Sequence, residues 1–322
     1  MRIESQSPIK STSDSKIERI NSCVMNEPSS PSPPLDRLLK SKEPSDSRPV
    51  TVIHPPSFSL GATVSGIRTL IRYRDLLYTL TLFRVTIRYK QSVLGLIWAA
   101  LQPLAMMIAY TLVFSRVAKV RSDGAPYPIF VFSGLLPWIF FSSAVSNAVN
   151  GLAGHANLLT KLHFPREIIP LSYVFAVLVD FGISCVIMSG MMTYYRVSVN
   201  WNILYALPIF AILVAFTSAV ALFLSSVQAR IRDVAAALPV VLQMIVFATP
   251  VVYSLNSIPL RFRYLYLLNP VSSLIDNFRR VVIYRQSPDV PMLLTSSVIT
   301  LCCLVFAYSY FRATESTMAD VI

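Results

Sequence analysis

The sequence predicts an all-α membrane protein. It has six transmembrane helices, an amphipathic interface helix before them and a re-entrant hairpin before the last. Three observations carry this. The chain of 322 residues is 54% hydrophobic and only 14% charged, with mean hydropathy +0.58. A water-soluble domain of that length carries far more charge. Six apolar runs follow one another, each near the ~20 residues a helix needs to cross a bilayer. Asp180 is the one charged residue inside them.

Residues 1–60 hold 14 Ser and 9 Pro with little apolar periodicity. Such a segment cannot bury enough apolar surface to offset its chain entropy, so a disordered tail is expected. No apolar stretch follows Met1 and Arg2, so no secretory signal peptide is expected. Residues 61–92 change pattern. Leu76, Leu80, Phe83 and Ile87 recur at helical steps, and Arg84 and Arg88 lie i,i+4 on a neighbouring stripe. A helix so divided lies in the membrane surface, apolar side down and arginines toward phosphates.

The six-helix domain then occupies 93–322. Its spans are Val93–Phe114, Tyr127–Val149, Ile168–Tyr195, Ile203–Val227, Val234–Tyr253 and Pro291–Phe311. Between the last two lies a shorter run, Tyr264–Ile275, broken by Asn269–Pro270. A run this short re-enters or lies at the surface.

The formal net charge is +12, and the tail contributes little of it, with eight Lys/Arg against seven Asp/Glu. The basic residues scatter between the spans, which points to lipid head groups and topology control and away from nucleic acid. With both termini inside, the inner segments hold eleven Lys/Arg; outside the broken hairpin, the outer segments hold four. The positive-inside rule therefore places both termini in the cytoplasm.

Catalytic patterns are absent. The nearest approach to a phosphate-binding loop, Gly61 to Arg68, has Ile67 and Arg68 where Lys and Ser/Thr are required. His54, His155 and His163 lack a carboxylate in a catalytic arrangement. Cys23, Cys185, Cys302 and Cys303 show no metal or disulfide spacing. Asp180 is either part of an ion relay or a structural hydrogen-bonding group. A relay needs further ionisable groups at membrane depth, and the structural reading is preferred.

Several stretches together resemble the membrane-spanning subunits of type-2 ABC exporters, in the branch that exports polysaccharides such as O-antigen, capsule and teichoic acid. They are Arg88-Tyr-Lys-Gln-Ser-Val-Leu-Gly-Leu-Ile-Trp98 with Leu101-Gln-Pro103, then Phe164-Pro-Arg-Glu-Ile-Ile-Pro170. Arg230-Ile-Arg-Asp233 follows, then Thr249-Pro-Val-Val-Tyr253, Asn269-Pro270, Asp276 and Arg279. Order and spacing along 70–312 make the match; the tail lies outside it.

The resemblance implies a homodimer in the bacterial inner membrane, driven by two copies of a cytoplasmic ABC ATPase. ATP and Mg bind that partner, and no cofactor binds this chain. A lipid-linked glycan is the implied substrate. The segment 150–167 is the implied coupling helix, with Lys161, Phe164, Pro165, Arg166 and Glu167 as its contacts. Pro165 sets a sharp direction change before the third span, and Arg166 and Glu167 offer charged contacts to a partner. Arg84, Arg88 and Lys90 are expected to hold lipid phosphate, whether of general membrane lipids or of the substrate's pyrophosphate. Aromatic faces pack on sugars, so Trp98, Tyr110, Phe114, Trp138, Phe140 and Phe141 are channel-lining candidates. The rivals are a type-2 permease for a drug or small lipid, a secondary transporter or channel, and a membrane enzyme.

Overall fold

The computed structural model describes residues 72–90, 95, 97–120, 122–154, 165–259, 261, 266 and 268–321. Eight α-helices run through them: α1 Arg74–Lys90, α2 Ile97–Tyr110, α3 Tyr127–Gly154, α4 Ile168–Tyr194, α5 Ala206–Arg230, α6 Val234–Ala248, α7 Pro270–Val282 and α8 Val290–Val321. Among the described residues there is no strand. Predicted Lys161 and Phe164, the tail and residues 61–71 lie outside them.

Five helical segments are long and apolar enough to cross a membrane: Ile97–Val117, Tyr127–Leu152, Ile168–Tyr194, Trp201–Arg230 and Val290–Thr314. The sixth expected span is shorter than the sequence suggested. α6 has 15 residues, about 22 Å at helical rise, and stops at Ala248. Pro250 cannot donate to the helical ladder, and the residue before a proline is pushed out of helical conformation. Thr249 is extended accordingly, with ψ 140°.

α3 is the central post. It is apolar around its whole circumference, as a helix buried on all sides must be, and α2, α4, α5, α6 and α7 pack around it. Phe130, Phe132, Leu135 and Phe140 on α3 are almost fully enclosed. α7 is also buried along nearly its whole length. Asn269 caps it by accepting from Val271 N, and Pro270 opens its first turn, where the missing N–H costs nothing. The second limb of the expected re-entrant hairpin is thus a buried helix. The outer half of the first span departs from α geometry: residues Thr111–Val117 form a π-helix, with Ala118 N donating to Val113 O.

α1 lies along α4. The face it turns to the protein carries Leu77, Thr81, Arg84 and Arg88. Leu77 packs among Leu152, Ile169, Leu171 and Phe311. Phe83 and Ile87 lie on the side of α1 turned away from the protein. The reason is on α4. Asp180 and the Ser172 hydroxyl sit in an otherwise apolar helix, and polar groups at that depth need partners. The arginines supply them.

Candidate transport groove

A groove of about 720 Å³ opens along the face shared by α2, α3 and α6. α2 contributes Trp98, Gln102, Met106 and Tyr110, one residue per turn at steps of four. α3 contributes Trp138, Ser142, Ser143, Ser146 and Asn147; α6 contributes Leu242, Gln243 and Val246. Gly95, in left-handed conformation at φ 48°, marks the end nearest α1. Two indoles, two phenols and six further hydroxyl or amide side chains thus face one space. Such groups stack on rings and exchange hydrogen bonds, and all stay uncharged. The charges that line the groove, Arg88 and Asp180, belong to one pair: Arg88 Nη1 lies 2.6 Å from Asp180 Oδ2, and the Tyr89 hydroxyl donates to Oδ1.

The predicted aromatic candidates divide. Trp98, Tyr110 and Trp138 line the groove. Phe114 stands against Tyr110 edge to face, with centroids 5.9 Å apart, just beyond it. Phe141 packs on Trp138 and stacks on Phe216. Phe140 is a correction. It lies on the opposite side of α3, 1% exposed, packed against Phe181 and Phe210 with centroids 5.7 and 5.0 Å away. Two residues along a helix is more than half a turn from Trp138, so the two rings cannot share a face.

The predicted phosphate-binding residues also divide. Arg84 Nε donates to Ser172 Oγ at 2.7 Å, and its guanidinium lies 3.4 Å from the Tyr173 ring centroid. It is engaged inside the protein with α4. Arg88 is half engaged with Asp180 and half open to the groove. Lys90 is exposed.

Of the predicted coupling residues, Pro165 and Arg166 are half-buried. Glu167 is a correction. It is fully buried, its Oε1 accepts from the Tyr308 hydroxyl at 3.0 Å, and Arg312 Nη2 lies 3.6 Å away. It ties the start of α4 to α8. A carboxylate beside a helix N-terminus is favoured there.

The residue that sequence reasoning missed is Arg279. In the sequence it stands among the residues that carry the resemblance; in the structure it is 1% exposed. Its Nη1 donates to Pro250 O at 3.1 Å and Tyr253 O at 3.4 Å, its Nη2 to Val251 O at 2.8 Å, and its Nε to Ser133 Oγ at 3.4 Å. The guanidinium lies 3.8 Å from the Phe130 ring centroid. Tyr127 donates to Val252 O at 2.7 Å. Every carbonyl from 250 to 253, freed when α6 breaks, therefore has a donor. Away from water that is obligatory. A break at Thr249-Pro250 inside an apolar run was the available signal: it needs donors, and a nearby arginine is one.

The same end is tied further. Ser254 donates to Asp123, as does Asn256 Nδ2 at 3.1 Å. Tyr284 donates to Ser122 O at 3.0 Å, and burial pushes its phenol up to about 12, so it stays protonated as a donor.

Residues 75–283 match the family model described as "ABC-2 type transporter". The chain is 31% identical over 258 residues to the O-antigen export system permease protein RfbA of Myxococcus xanthus, covering 80% of this chain and 98% of that one. It is 30% identical over 210 residues to the protein of the same name from Klebsiella pneumoniae, covering 64% and 80%. Breadth of match and fold agree, and the chain belongs to the ABC-2 type transporter family.

Proposed function

We propose that this chain is the permease subunit of an ATP-driven exporter that carries a polysaccharide, lipid-linked and of the O-antigen or capsule type, across the bacterial inner membrane. One observation carries the reading: a groove along the face shared by α2, α3 and α6 is lined by indoles, hydroxyls and amides. Acyl chains offer those groups nothing, whereas sugar rings offer C–H faces and hydroxyls. The two O-antigen export relatives support the same substrate class. A drug or small-lipid permease would favour an apolar lining.

In this reading two copies face each other across the groove and close it into a channel. α6 with the stapled segment 249–257 serves as a sixth, broken crossing, and the region before α7 re-enters the membrane. Both termini face the cytoplasm. ATP and Mg bind two copies of a separate ABC ATPase, which docks at segment 155–166. Arg166 is the described residue best placed to touch it, and Glu167 passes the resulting motion to α8 through Tyr308 and Arg312.

The test is complementation. Cells deleted for this chain should accumulate lipid-linked glycan on the inner leaflet, and the wild-type chain should restore surface glycan. Surface glycan unchanged by the deletion would refute the assignment.

A further inference from the structure

α4 and α7 each run out into an arginine with left-handed backbone, Arg196 at φ 54° and Arg285 at φ 58°. A β-carbon is disfavoured there and glycine is the usual residue. Ser198 links Arg285 to the stretch that carries Arg196. Arg285 Nη1 donates to Ser198 Oγ at 2.5 Å, and the Arg285 carbonyl accepts from Asn202 Nδ2 at 2.7 Å. Ser198 and Arg196 line one cavity of about 410 Å³.

The chemistry of that cavity is one-sided. None of its lining residues is acidic. Ser189 and Thr193 line it too, but their hydroxyl protons are given to carbonyls within α4, Cys185 O and Ser189 O. The side-chain donors left for a ligand in the lining are therefore the Arg196 guanidinium and the Ser198 hydroxyl, on which Arg285 rests from outside it. Arg196 is exposed and makes no salt bridge among the described residues. Met192 and Ile203 give the cavity an apolar floor.

Its depth is marked by exposed aromatics. Tyr194, Trp201 and Tyr205 flank it at 80%, 88% and 49% exposure. Tyr and Trp gather where a membrane-crossing helix meets the head groups. The cavity sits at the end of α4 remote from Glu167, where that helix leaves the membrane.

The geometry points to a binding site for the phosphate of an anionic membrane lipid. Arg196 and Arg285 hold the phosphate, and the apolar floor receives the first carbons of the chain. The site stands apart from the groove and needs no transport activity to be tested.

A second role for Arg196, complementing the carbonyl end of α4, would not discriminate between lipids. The experiment therefore reads selectivity. The full chain is reconstituted in nanodiscs of phosphatidylcholine with phosphatidylglycerol, and retained lipids are counted by native mass spectrometry. The wild type should keep one more phosphatidylglycerol per chain than Arg196→Gly. Affinity should fall about fivefold per arginine removed in Arg196→Gly and Arg196→Gly/Arg285→Gly. Glycine suits the left-handed backbone, so thermal unfolding should not be lowered, and Arg196→Lys should keep most of the binding. Equal phosphatidylglycerol retention by wild type and Arg196→Gly overturns the site. So does thermal stabilisation by inorganic phosphate in phosphatidylcholine alone without phosphatidylglycerol retention, which assigns it to a soluble phosphate.

Discussion

The Arg279 guanidinium fills the space that a side chain on residue 134 would need: a β-carbon built on Gly134 lies 2.5 Å from Arg279 Nη2 and 2.8 Å from Val251 O. Backbone and cation approach this closely because α3 carries no side chain there. Gly134→Ala should therefore destabilise the protein by about 1–3 kcal/mol through overpacking, read as a lower midpoint of thermal unfolding in detergent. An unchanged midpoint would mean the staple is looser than the structure shows.

Removing the cation itself is the stronger perturbation. Arg279→Met keeps much of the volume but orphans the carbonyls of Pro250, Val251 and Tyr253, at about 1–3 kcal/mol for a buried group left unsatisfied. Hydrogen exchange should quicken between residues 249 and 257 before it quickens in α3. Uniform loss of protection would instead mark Arg279 as a general core residue.

Arg88 and Asp180 hold α1 against α4 at 2.6 Å. Asp180→Ala should loosen α1, giving faster exchange over 74–90, and the swap Arg88→Asp/Asp180→Arg should restore part of the protection. The pair is partly exposed, so the coupling should be only about 1 kcal/mol. A swap no better than the single variant would show that charge pairing is not what holds α1.

Glu167 and Arg166 are neighbours with different duties. Glu167→Ala removes the buried carboxylate that faces both Tyr308 and Arg312 and should cost about 1–3 kcal/mol. Glu167→Gln keeps an acceptor for Tyr308 and should leave co-purification with the ATPase intact. Arg166→Ala should weaken co-purification while leaving thermal unfolding unchanged. Loss of the ATPase in Glu167→Gln with the fold intact would return Glu167 to the docking surface.

How much was legible in the sequence follows a physical line. The spans were, because a bilayer imposes length and hydrophobicity on each segment by itself: α3, α4, α5 and α8 lie where their apolar runs lie. Facing was not. Arg84 and Phe83 are adjacent, and which one turns inward depends on Ser172 and Tyr173, some ninety residues away. Trp138 and Phe140 read alike as aromatics on one helix, yet one meets the groove and the other Phe210. Arg279 looked like a surface charge because its partners are backbone carbonyls, whose need for a donor becomes visible only once α6 is known to break.

In the proposed function the aromatic, hydroxyl-lined groove carries sugar. The direct measurement is ATP-dependent movement of a labelled lipid-linked glycan across proteoliposomes holding this chain and its ATPase, for the wild type, Trp98→Ala/Trp138→Ala and Phe140→Leu. The account predicts transport by the wild type, at least a tenfold loss in the double tryptophan variant with insertion and ATPase binding intact, and near-normal transport for Phe140→Leu. Full transport by the double variant, or wild-type transport of a small apolar drug in place of the glycan, would contradict it.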